Sequence, residues 1–135
     1  MATTLTAWRA DVAAVVAAAL GVICQSGPTG NPEPNTALMQ WQDPWLSYDA
    51  TDGATFKAPA VFASVVIITS SNDLAQAEAD LATFLPLLAT IAGASLAGGG
   101  QCPPVFDVTA PSPLFEDSNL LAVRADLYPA TVTLT

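Results

Sequence analysis

The stretch Ala58-Pro-Ala-Val-Phe-Ala-Ser-Val-Val-Ile-Ile-Thr69 decides how this chain folds. Val61, Phe62, Val65, Val66, Ile67 and Ile68 are β-branched or aromatic, with no polar alternation. That pattern predicts a strand buried on both faces. Ser70-Ser71-Asn72-Asp73 follows as a helix start, and Leu74, Ala77, Leu81, Phe84, Leu85, Leu88 and Ile91 recur at helical spacing. Gln76, Glu78 and Asp80 fall on the opposite face. Pro86 lies inside this pattern and predicts a kink or a restart, because proline lacks the N–H that the helix needs. Gly93 and the Gly98-Gly99-Gly100 run end the helix. The run itself reads as a flexible connector, since it follows a helix and has no lysine beyond it to make a phosphate cradle.

Working back from that strand, Thr3 or Thr4 can cap a helix reaching Leu20, with Gly21 as its stop. Leu5, Trp8, Val12, Val15, Val16, Ala19 and Leu20 make its apolar stripe, with Arg9 and Asp11 elsewhere. Residues 25–35 are rich in proline and glycine and read as an exposed loop. Ala37, Met39 and Trp41 alternate with Thr36, Leu38 and Gln40 as a strand, which Asp43-Pro44 should break. Trp45 to Ala54 then reads as a second loop or short strand ending at the Asp52-Gly53 turn. Working forward, Pro104 to Thr109 is a short strand and 110–119 a loop. Leu120 to Leu134 is a closing run whose parity changes at Tyr128-Pro129, which predicts a bulge or bend with Pro129 on an edge. The whole is an α+β domain spanning 1–135: a mainly antiparallel sheet of four to five strands packed by two helices, in the order α-β-β-(β)-α-β-β, with flexible loops at 25–35 and 110–119.

The chain has no histidine, three basic residues against twelve acidic ones, and a net charge of −9. No histidine means no Ser-His-Asp triad, no Cys-His pair and no imidazole metal site. A net negative chain repels a phosphate backbone, which argues against a nucleic-acid binder. Hydrophobic residues make up 52% and charged ones 11%, so a large share of the surface must be uncharged. Burial against other copies or other proteins is the simplest way to keep such a surface from water. Cys24 and Cys102 have no CxxC or zinc spacing; Cys24, after the apolar run Gly21-Val22-Ile23, reads as a small buried hydrophobe, and a Cys24–Cys102 disulfide is possible only if the fold brings the two together. The apolar run from Val12 to Cys24 is too short to span a membrane and reads as part of a packed helix, not a secretion signal.

No catalytic constellation can be assembled, and the chain reads as a non-enzyme with no metal and no cofactor. Asp49 to Gly53 lacks calcium-loop spacing. Glu116-Asp117 is an adjacent carboxylate pair without a nucleophile or base. Trp41, Trp45 and Tyr48 are aromatic with no basic residues between them, which suits core packing or a protein interface better than base stacking. Trp41, Trp45 and Tyr48 form one proposed interface patch. Glu116 and Asp117 are expected to face a partner or a lumen.

The ordering resembles the tail terminator and tail-completion proteins that join head to tail in long-tailed bacteriophages. The resemblance is carried by the helix Leu5 to Leu20, the strand Val61 to Thr69 entering a helix at Asn72-Asp73-Leu74, the Gly-rich turn after it, and the closing run Leu121 to Thr133. It is one of architecture over nearly the whole chain, with no diagnostic motif. It implies a virion structural protein, made in the host cytoplasm, that assembles with itself as a ring, commonly a hexamer. Its implied partners are the tail tube protein and head–tail connector proteins. DNA would pass through the channel as cargo without being bound, and no membrane is involved. A heterologous, ring-closing contact suits a subunit with so few charges. Two other readings are compatible with the composition. One is another virion part (tail tube, head-closure or decoration protein). The other is a small secreted acidic binding domain.

Overall fold

The computed structural model describes residues 2–27, 34–47, 59–70, 74–113 and 120–134. Strand β1 (Ala2–Thr3) leads into helix α1 (Leu5–Leu20), then β2 (Cys24–Gln25), β3 (Thr36–Ser47) and β4 (Ala60–Ser70). Helix α2 (Leu74–Leu88) follows, ending in a 3-10 turn at Ala89–Ile91. The chain closes with β5 (Val105–Val108), β6 (Ser112–Pro113), β7 (Leu120–Leu127), β8 (Ala130–Thr131) and β9 (Thr133–Leu134). The fold is α+β.

The main sheet has the order β2-β3-β4-β7-β5, with β6 beside β7 and β8 beside β4. All its pairings are antiparallel except β2 with β3, where Cys24 stands opposite Ala37. β4 is the spine. It holds β3 on one side, with Ala37 opposite Ile67, and β7 on the other, with Val123 opposite Ile67. β1 and β9 form a separate parallel pair, Ala2 opposite Thr133.

The apolar stripes pack where their spacing sends them. Trp8, Val12, Val16 and Leu20 of α1 and Ala77, Leu81 and Leu88 of α2 cover one face of the sheet, meeting Met39, Val61, Val65, Ile67, Val123 and Leu127. A second cluster, Val66, Ile68 and Ala122, is buried on the other face. β4 is therefore enclosed on both sides, as its uninterrupted hydrophobicity predicts. The parity change also holds. β7 ends at Leu127 and the chain turns at Tyr128-Pro129, so that β8 pairs with the start of β4.

Both ends of α1 are chemically closed. Thr4 is the N-cap, its hydroxyl accepting from Ala7 N–H at 3.1 Å, and Gly21 ends the helix with φ +70° and donates to the Ala17 carbonyl. A side chain at Gly21 would meet no neighbour, so its cost would be backbone strain alone. Gly21→Ala is expected to lower stability by about 1 kcal/mol, read from the urea midpoint at unchanged slope.

Three local expectations are corrected. Asp43-Pro44 does not end the strand. β3 pairs with β4 up to Trp41 opposite Ala63, bulges, and resumes at Leu46 opposite Val61. Pro86 does not restart the helix either: α2 runs unbroken to Leu88. The carbonyl that Pro86 leaves without its donor belongs to Ala82, and both residues are exposed, so water can serve it. The glycine run is no loose connector. Leu96 N–H donates to Gly100, Gly99 N–H donates to Leu96, and Gly98 N–H donates to the Asp11 carboxylate at 2.9 Å. Asp11, read as lying off the helix stripe, thus ties α1 to that turn. Of the two expected loops, residues 28–33 and 114–119 lie outside the described residues.

Candidate functional site

The interruption in β3 gathers an aromatic group at one edge of the sheet. The register jump leaves residues 42–45 facing Phe62 alone. The bulge is anchored by Gln42, whose side-chain amide donates to the Ala63 carbonyl at 2.7 Å. It turns Trp45 back onto Trp41, with ring centroids 5.0 Å apart. Trp41 keeps the parity of Ala37 and Met39 and so faces the helices, where it stacks on Trp8 of α1 at 6.2 Å with the rings 14° apart. The ladder runs outward from buried Trp8 through half-buried Trp41 to exposed Trp45.

Arg9, next to Trp8 on α1, completes the group. Its guanidinium carbon lies 4.9 Å from the Trp41 ring centroid, within cation–π range. On another side it meets the backbone at Gly27, where a Cβ would fall 3.1 Å from Nη2. Arg9 Nε is buried with no hydrogen-bond partner among the described residues.

The opposite edge carries a second aromatic group. Phe106 on β5 and Tyr128, just past β7, lie 5.1 Å apart, and both are exposed, with Val108 beside them. A backbone bond from Tyr128 N–H to the Pro104 carbonyl holds the two segments together.

Of the residues singled out from sequence, Trp41 and Trp45 are brought together, whereas Tyr48, Glu116 and Asp117 lie outside the described residues. Trp8 and Arg9 were legible only as a stripe member and an off-stripe charge. Nothing in the spacing of Phe106 and Tyr128 links one to the other. The available signal was proline: Pro103-Pro104 precedes β5 and Pro129 follows Tyr128, and proline in a sheet keeps to its edges.

Three polar groups meet at the middle of the sheet. Ser64, fully buried on β4, donates to Asp126 Oδ1 at 2.6 Å, and Arg124 Nε stands 3.1 Å from the same oxygen. No cluster of three or more His, Cys, Asp or Glu able to hold a metal occurs among the described residues. A cleft of about 140 Å³ lies between Thr3, Trp8, Leu96, Gly100 and Val132. It is lined without any ionisable side chain and falls below the roughly 300 Å³ at which ligand pockets begin.

Both cysteines are free thiols, Cys24 half-buried and Cys102 buried. Burial pushes Cys24 up to about 12 and Cys102 up to about 11. A raised thiol pKa favours folding below the unfolded value, and this contribution is lost as pH climbs from about 9 through the folded values. Native stability should therefore decline above pH 9. At pH 8, Cys24 in the native protein should react with iodoacetamide markedly more slowly than in the urea-unfolded chain, because thiolate is the attacking species and burial suppresses it. Mass spectrometry after timed quenching reads both rates.

No protein-family profile matches the chain, and no curated protein does. Among solved structures, the fold is similar to a chain from the "Virion of native gene transfer agent (GTA) particle". The two share 17% sequence identity with a TM-score of 0.50, over 95% of this chain and 94% of that one. At this identity the likeness is one of fold, and it runs almost end to end. No helix among the described residues is long and apolar enough to cross a membrane.

Proposed function

We propose that this chain is a structural protein of a phage-like virion that acts by assembly, not catalysis: a ring subunit closing the tail tube where it meets the head. The observation that carries the reading is the end-to-end fold likeness to a chain of a gene transfer agent virion. The chain's chemistry supports it. A net charge of −9 with three basic residues suits a channel wall that must let DNA slide past, since each phosphate neutralised would add binding free energy. The exposed aromatics at both sheet edges supply contacts for neighbours. A hexameric ring, with the tail tube protein below and head–tail connector proteins above, is the arrangement proposed.

The test is a deletion of the encoding gene, complemented in trans, with particles viewed by negative-stain microscopy. Filled heads accumulating beside unjoined tails of uncontrolled length would support the terminator role. Particles that lack tubes altogether point to a tube subunit, and intact but fragile heads point to decoration. Normal infectious particles would overturn the virion reading.

A further inference from the structure

Among the described residues the sheet has two free edges, and they are unlike. Beyond Leu38, where β2 stops, no described strand pairs with the outer side of β3, and none pairs with the outer side of β5. The large exposed hydrophobic side chains among the described residues are Ile23, Trp45, Leu87, Phe106, Val108 and Tyr128. Leu87 alone lies on a helix. Trp45 sits on β3, and the Ile23 carbonyl accepts from Ala37 N–H of that strand, so both mark the β3 edge. Phe106, Val108 and Tyr128 mark the β5 edge. Every aromatic residue exposed in this set is therefore at an open edge. Single exposed hydrophobes need no explanation, but their collection at two sheet edges does.

The charges at the edges are also unlike. Arg9 lies half-buried at the β3 edge against Trp41, its Nε itself buried and not exposed to a neighbour. Asp107 stands exposed on β5, between Phe106 and Val108. In a chain with three basic residues, a cation placed at one edge and an acid at the other is a complementary pair that a single copy cannot close. Pairing β5 with β5 of a second copy in the register centred on residue 107 would instead set Asp107 against its own equivalent, where like charges are destabilising.

We infer that the β5 edge of one copy, through Phe106, Tyr128 and Asp107, docks onto the β3 edge of the next, through Trp45 and Arg9. The occupant of each edge is a second copy of this chain, bound head to tail. Such a contact uses two different surfaces, so every added copy presents a fresh edge until the ring closes. The inference rests on the ring reading above and names its interface. Tyr, Trp and Arg at the centre of the contact are the residue types that carry most binding energy at interfaces.

Two variants test it. Trp45→Glu blocks one edge, and Phe106→Glu with Tyr128→Ser blocks the other; all three side chains are exposed, and circular dichroism checks each fold. Masses are read by light scattering over a concentration series. The wild type should form a discrete multi-copy species and each variant alone a monomer. Their equimolar mixture should form a two-copy species, because one variant supplies an intact β5 edge and the other an intact β3 edge. The milder Phe106→Ala should raise the concentration at half-assembly about 30-fold, the scale of one interface hot spot. Charge exchange gives an independent reading: Arg9→Glu and Asp107→Arg each weaken assembly, and the double variant recovers it. A wild-type oligomer that survives both edge blocks would overturn the edge contact while leaving the ring. So would a Trp45→Glu protein that still dimerises, the mark of β5 pairing with itself. A wild type that stays monomeric at the highest concentration, with or without tail tube protein, would overturn the ring reading as well.

Discussion

Trp8→Ala will lower the stability of this protein by about 3–5 kcal/mol, while Trp45→Ala, two rings further out on the same ladder, will lower it by about 1 kcal/mol or less. Trp8 is 4% exposed, lies in the main core cluster and stacks on Trp41, so truncation leaves a cavity that α1 and the sheet cannot fill. Trp45 is 44% exposed and touches its neighbour from outside, so water replaces much of what is lost. Domains of this kind are stable by only about 5–15 kcal/mol, which puts Trp8→Ala near the limit of folding. Urea titration by tryptophan fluorescence reads both variants. A Trp45→Ala protein that lost as much as Trp8→Ala would show that the ladder is one structural unit and not an anchor with an exposed tip.

The second large effect is at Ile68. In an antiparallel sheet with one wet face, substitution on that face costs little. Ile68 points away from the helices, yet it is fully buried, packed with Val66 and Ala122 and flanked by Leu38 and Leu120. Ile68→Ala is therefore expected to cost about 2–4 kcal/mol, as much as Ile67→Ala on the helix face. The comparison is made on melting temperature and urea midpoint together. A cost below about 1 kcal/mol at Ile68 would mean that its enclosure gives way easily to solvent.

That two-sided burial was legible in sequence, because Val65 to Ile68 offers no polar position for either face. Helix periodicity was equally plain in α1, where stripe, threonine cap and glycine stop all point to one element. Legibility failed where a local rule met a tertiary compensation. Asp43-Pro44 looks like a strand end, but Gln42 anchors to Ala63 and the strand resumes at Leu46. The same bulge decided the aromatic group. Spacing alone could propose that Trp41 and Trp45 act together, but it could not show that Trp8 and Arg9 come from α1 to join them. Asp11 was hidden for the same reason, since its partner is the Gly98 backbone on the far side of the sequence. Residues that serve long-range contacts carry no local mark.

The pairing of β1 with β9 has a consequence for how the molecule is made. Ala2 and Thr3 lie beside Thr133 and Leu134, so nearly the whole chain separates partners that touch. During synthesis on the ribosome, α1 emerges long before β9 and can begin to coil, but the strand before it has nothing to pair with until β9 has been made. Closing so long a loop in one step would cost on the order of 4 kcal/mol in chain entropy. The cost is spread instead: β4 pairs with β7, the turn at Tyr128-Pro129 sends β8 back along β4, and β9 arrives next to β1 almost without search. The order of events is thus built into the topology, with the clasp between β1 and β9 fastened after the sheet it closes over.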